Sequence, residues 1–238
     1  MSTRVSIIRL VALVLVIFSS CASLTAQEKA YLDATQTQIR HRIREPVAGS
    51  SGFRSGWAEG QKAPPQPLTL TLKILGGSDF ARNDIFEYEV QIRNTSKQQV
   101  EIPWDLNSAD IEPADPQASY QYQTTAIYVH AKIGENRAIS MEGPILLFGS
   151  PSLPSTMIRL EPGEWVRVRA TGKVVSSNSN DAWPPSALTS KEADGTLEAS
   201  LLVNSSSFSP GAGGNSHEES QITKGPISSN EYNVHFRF

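Results

Sequence analysis

Three groups of side chains in this sequence have the types and spacing that chemistry requires. Asp105-Leu106-Asn107-Ser108-Ala109-Asp110, continued by Glu112 and Asp115, gathers hard oxygen donors in one acidic loop. Calcium takes about six to eight such oxygens, so Asp105, Asp110 and Glu112 are candidate metal ligands and calcium is the candidate ion. The order lacks the glycine and glutamate of a helix–loop–helix calcium site, and a solvated loop is the plain alternative. Trp165, Arg167 and Arg169 form the second group. They alternate with Val166, Val168 and Ala170, so a strand here turns the aromatic and both guanidiniums to one side. An aromatic beside arginines suits a protein or sugar partner. The alternative is that a sheet edge or the N-terminal segment covers that side. The third group is a single residue, Cys21, the only thiol in the chain and a candidate site of lipid attachment.

No other constellation points to catalysis. Gly49-Ser50-Ser51-Gly52 lacks the spacing of a serine nucleophile elbow, and there is no Walker loop, dinucleotide fingerprint or His-Glu-Xaa-Xaa-His pair. His41, His130, His217 and His235 are too far apart to form a short-spaced ligand pair. His235 alternates with Val234 and Phe236, so it is expected to face solvent. The expectation is a protein that is not an enzyme and uses no cofactor other than that calcium. Asn94-Thr95-Ser96 and Asn204-Ser205-Ser206 match the glycosylation acceptor pattern, although turn chemistry also accounts for Asn94.

The elements that position these residues begin with an export signal. Arg4 and Arg9 precede the apolar run Leu10–Phe18, and a small-residue stretch ends at Ala26. This is the basic, apolar and cleavable layout of a secretory leader, assigned to residues 1–26. The run is too short for a membrane-spanning helix of about 20 residues. Cleavage after Ala22 or Ala26 releases a soluble chain. Phe18-Ser19-Ser20-Cys21 also resembles the bacterial lipobox, which implies an anchored lipoprotein with Cys21 as its first residue. The protein is therefore expected in the periplasm or outside the cell, with membrane contact only if Cys21 is lipidated. Removing Arg4 and Arg9 leaves 19 basic residues against 24 acidic ones, which argues against a nucleic-acid partner.

Residues 27–67 read as a flexible tether, with Glu28–Arg44 a candidate short helix and a Gly/Ser/Pro-rich stretch after it. Residues 68–238 read as strands. Leu68, Leu70, Leu72 and Ile74 alternate with polar residues, as do Phe86, Tyr88, Val90 and Ile92. Tyr120–Ile133 is apolar on both faces, as in a central strand. Further strands are expected at Thr156–Leu160, Trp165–Ala170, Leu197–Val203 and Tyr232–Phe238, with loops at 174–195 and 205–226. The pattern predicts an all-β sandwich or barrel.

Two segments carry a resemblance. Phe86–Trp104 (FEYEVQIRNTSKQQVEIPW) and Ile158–Ala170 (IRLEPGEWVRVRA) resemble bacterial immunoglobulin-like domains, in which a strand ends in Asn plus small polar residues and a Pro-Gly turn precedes a late strand. The resemblance covers Leu68–Ala170 and the final strand. It implies an antiparallel β-sandwich of about 7–9 strands and an exported, non-enzymatic binding module of the cell envelope. Its partner is expected to be a protein or glycan. Two alternatives are an outer-membrane β-barrel, since Tyr232, Val234, Phe236 and Phe238 resemble the terminal signal of such barrels, and a proteinase-inhibitor-like sandwich. Fifteen prolines count against the barrel.

Overall fold

Alternating burial shapes the strands of this chain, and pairing between distant segments decides where they lie. A computed structural model describes residues 26–35, 66–81, 84–106, 120–133, 138–140, 145–174, 192–208, 218–221 and 226–237. The leader with Cys21, most of the expected tether, Asp110 and Glu112 lie outside these residues. The strands in chain order are β1 (Glu28–Asp33), β2 (Leu68–Leu75), β3 (Asp79–Ala81), β4 (Ile85–Asn94), β5 (Val100–Pro103), β6 (Tyr120–Lys132) and β7 (Ala138–Ser140). They continue as β8 (Ile145–Gly149), β9 (Met157–Leu160), β10 (Trp165–Lys173), β11 (Glu192–Phe208), β12 (Glu218–Gln221), β13 (Ile227–Ser228) and β14 (Tyr232–Arg237). The fold is all-β.

One sheet has the order β1-β10-β4-β2. A second runs β3-β14-β11-β6-β7, with β8 also on β6 and with β12 and β13 on β11. β5 and β9 make a separate antiparallel pair. The two larger sheets share one apolar core. Leu68, Leu70, Leu72 and Ile74 of β2, Val90 and Ile92 of β4, and Val166 and Val168 of β10 enter it from the first sheet. Ile127 and Ala131 of β6, Leu197 and Leu201 of β11, and Phe236 of β14 enter it from the second. At one end an aromatic cluster joins the sheets. Phe80 lies 5.3 Å from Phe86 and 6.4 Å from Phe236, and Phe86 lies 5.9 Å from Tyr88, all in tilted geometry. Gly172 faces Phe86 across the β10–β4 ladder, and a Cβ there would collide with the phenyl ring. On the β2 side, the Asn230 amide replaces a neighbouring strand. Its Oδ1 accepts from Leu72 N at 2.9 Å and its Nδ2 donates to Leu72 O at 3.1 Å.

Several sequence expectations meet the structure directly. The alternations of β2 and β4 are buried in the expected phase, and Tyr232, Val234 and Phe236 form the last strand, with Val234 and Phe236 in the core. The start of the expected tether is different. Glu28–Asp33 is not helical; it is a strand added in parallel to the edge of β10. Its alternating Ala30 and Leu32 pack on the core, a period-two signal too short to stand out from a sparse helical one. The expected loops are also shorter than their composition suggests. β11 begins at Glu192 and runs through Phe208, because β14 and β6 pair with its first half and β12 and β6 with its second. Backbone ladders hold this serine-rich end without an apolar stripe to announce it.

The turn after β4 rests on one buried amide. Asn94 is fully buried, and its Nδ2 donates to Gln98 O and Leu160 O, each at 2.8 Å. Its Oδ1 accepts from Ser96 N at 2.9 Å and Ser96 Oγ at 2.8 Å. Both amide hydrogens are used, so the folded chain offers no glycan acceptor at Asn94. The Asn94 backbone bonds the β9–β10 turn, donating to Glu164 O at 2.9 Å and accepting from Gly163 N at 2.8 Å. Gly163 has φ +86°, the left-handed conformation that glycine adopts without steric cost. Replacing Asn94 by Ala strands the buried carbonyl of Leu160 and removes the bonds that shape the turn. The expected loss is about 3 kcal/mol, read as a lower urea midpoint at unchanged slope.

Candidate functional site

β10 turns Val166, Val168 and Ala170 into the core, so Trp165, Arg167 and Arg169 lie on the opposite, outward side, as their alternation predicts. Directly across the antiparallel β4, Arg167 faces Gln91 and Arg169 faces Glu89. Each guanidinium reaches diagonally to the next carboxylate, which is the second-closest pairing on a sheet face. Arg167 Nη1 lies 3.4 Å from both Glu89 oxygens, and Arg169 Nε donates to Glu87 at 3.1 Å.

β1 completes the array from the other side. Arg167 Nη2 donates to Glu28 Oε1 at 3.3 Å, and the Arg167 guanidinium lies 4.8 Å from the centroid of the Tyr31 ring. Arg167 is therefore bracketed by Glu28 and Glu89. Glu87, and after it Tyr31, hold the Arg169 pKa above its ordinary value. Asp33 is held below the usual carboxylate range, first by hydrogen bonds from the Thr35 hydroxyl and backbone and less by Arg169. Lys29 Nζ lies 3.2 Å from Glu164, whose carboxyl is lowered chiefly by the Glu161 N–H it accepts at 2.9 Å. Sequence reasoning found both arginines. It did not identify Glu28, Lys29, Tyr31 and Asp33 as their neighbours, because these stand more than 130 residues away.

A second polar node went unnoticed in the sequence. Glu198 sits opposite Leu197 and Ala199 on β11 and is buried. Its carboxylate is 3.4 Å from His130 Nε2 and paired with Lys132 Nζ, both on the neighbouring β6. His130, then Lys132 and Ser228, outweigh its desolvation and lower its pKa to about 2. Glu198 in turn raises the Lys132 ammonium above its ordinary value, and Lys132 also meets Glu231 at 3.2 Å. A carboxylate held so low is a weak base at neutral pH, so this node suits fastening strands rather than moving protons. The only local hint was one glutamate inside the apolar run of β11.

Among the described residues no three His, Cys, Asp or Glu side chains are arranged to hold a metal ion. Asp105 joins the sheet through its backbone, exchanging hydrogen bonds with Phe148 at 2.8 and 3.1 Å. Its proposed co-ligands Asp110 and Glu112 lie outside the described residues. His235 is partly exposed and bonds Asp194 through Nδ1 at 2.8 Å, which raises its pKa. No helix among the described residues is long and apolar enough to cross a membrane.

No protein-family model matches the chain, and no curated protein matches it. Solved structures similar to it include the sporulation control protein Spo0M from Bacillus subtilis, at 8% identity and a TM-score of 0.29, over 72% of this chain and 50% of that one. The alkylpurine DNA glycosylase AlkC from Pseudomonas fluorescens, bound to abasic-site DNA, is 6% identical with a TM-score of 0.27, over 72% and 31%. AvmM, which catalyses macrocyclization in alchivemycin A biosynthesis, is 11% identical with a TM-score of 0.25, over 72% and 88%. The chain thus spans half of Spo0M and about a third of AlkC. TM-scores this low carry nothing about activity.

The Glu198 node makes stability depend on pH. Its folded pKa of about 2 lies below the ordinary 4.5, so its contribution is present above pH 4.5 and fades as pH falls toward 2. Between neutral pH and pH 3 the wild type is expected to lose on the order of 2 kcal/mol more than Glu198→Gln, measured by urea unfolding at each pH.

Proposed function

We propose that this chain is an exported, immunoglobulin-like sandwich that works by binding, without catalysis, through the outward face of β1-β10-β4-β2. The leader pattern of residues 1–26 supports export, and the Asn94 and Gly163 turns fit the immunoglobulin-like segments. The observation that carries the binding reading is the state of the aromatic and charged groups on that face. Tyr31 is 43% exposed yet held against Arg167, which two carboxylates hold in turn. Trp165 stands half-buried beside them. Side chains fixed before contact lose little entropy when a partner arrives, and aromatic groups contribute most per residue to such contacts. The partner that fits is a protein or glycan of the envelope or cell exterior, met by a face of mixed charge.

The test uses residues 27–238 as bait on envelope extract, beside the same chain with Tyr31→Ser and Arg93→Glu, Arg93 being the exposed β4 residue directly across from Trp165. The wild type is expected to retain a protein or glycan that the variant loses, with both chains folded by circular dichroism. Equal capture by the two baits would sink the assignment to this face. A turnover found on a broad substrate panel and abolished by one polar substitution would replace binding with catalysis.

A further inference from the structure

We infer that the edge of β10 is a strand-acceptor site, and that two copies of this chain can exchange their Glu28–Ala34 segments across it. β1 pairs with β10 and with no other strand among the described residues. Its recognition has the form of a bound peptide, in which main-chain bonds supply affinity and alternate side chains supply specificity. Trp165 N donates to Gln27 O at 3.1 Å, and Ala34 N donates to Arg169 O at 2.8 Å. Between these ends Ala30 and Leu32 pack on the core and Ala34 is buried. On the other side Glu28 and Tyr31 engage Arg167, and Lys29 engages Glu164.

Connectivity does not decide whose β10 receives the strand. Five residues join β4 to β5 and four join β9 to β10, connections that keep those strands within one chain. Between β1 and β2 lie 34 residues, the longest separation between consecutive strands among the described residues. Fully extended, that length reaches at most about 110 Å, whereas a domain of this size has a radius of gyration near 15 Å. A segment docked on a second copy keeps every contact it makes in its own chain. The balance is therefore set by protein concentration against the effective concentration of the linked segment, on the order of 1 mM. Reciprocal exchange closes a two-fold dimer and leaves no acceptor edge empty.

Residues 27–238 contain no cysteine, so introduced thiols report cleanly. Tyr31 and Arg167 are register partners, and neighbouring strands about 5 Å apart lie within disulfide reach. Chains carrying Tyr31→Cys alone and Arg167→Cys alone are unfolded, mixed, refolded at about 1 mM and oxidised. A reducible heterodimer is expected, linked 31 to 167 by peptide mapping and exceeding an out-of-register mixture of Tyr31→Cys with Lys173→Cys. It should fall away on thousandfold dilution before refolding. The double variant Tyr31→Cys/Arg167→Cys, refolded dilute, should close within one chain and shows that the fold tolerates both changes. If that variant closes while the mixture never exceeds its control, exchange is refuted. If a folded double variant fails to close, the β1–β10 register is wrong and the inference falls with it.

Discussion

The buried amide of Asn94 is the joint on which the first sheet and its outward face depend. It ends β4, shapes the turn toward β5 and holds the end of β9, with its backbone fastening the turn that starts β10. Each of its polar atoms has a partner, which is the condition under which a buried amide specifies structure instead of destabilising it. The consequences reach further than the turn. Glu164 belongs to the turn that Asn94 fixes, and Glu164 is the carboxylate that meets Lys29 on β1. The placement of the N-terminal strand is thus linked to a side chain at the end of β4.

The charged face shows how ion pairs hold an outward-facing array in place. Glu87, Glu89 and Glu28 neutralise Arg167 and Arg169 within the sheet, which reduces their pull on a distant anion. What the pairing supplies is rigidity. Ion pairs at partly exposed positions contribute little net stability individually, but here they fix the Tyr31 ring and the register of a parallel edge strand. The Glu198 node differs because it is buried. There a single carboxylate without His130 and Lys132 would be a desolvated, unpaired charge, so its partners are required rather than decorative.

The two sides of the first sheet are covered differently. β2 is capped at Leu72, where the Asn230 amide takes the place of a strand. β10 is sealed by a segment that belongs to the far end of the chain. Sealing matters because an exposed ladder of N–H and C=O groups invites unplanned pairing. The backbone ladder holds β1 on this edge, while the side chains on its two faces match small or aliphatic residues on one side and charged or aromatic residues on the other.

Period-two burial was legible in the sequence, since each strand carries its own record of which face meets the core. Leu68–Ile74, Phe86–Ile92 and Val166–Ala170 needed no partner to be read, nor did the outward direction of Trp165, Arg167 and Arg169. The turns at Asn94 and Gly163 were legible for the same reason, because side-chain hydrogen bonding and positive φ are local properties. Tertiary structure alone decided what lies beside those outward residues. Glu28 and Tyr31 reach Arg167, His130 reaches Glu198, and Asn94 reaches Leu160 across separations that no local pattern encodes. β11 extends beyond its apolar centre because ladder hydrogen bonds are made by the backbone, which is the same in every residue but proline. A sequence therefore marks the face that will be buried; the choice of neighbour is made by backbone pairing and charge only when distant segments meet.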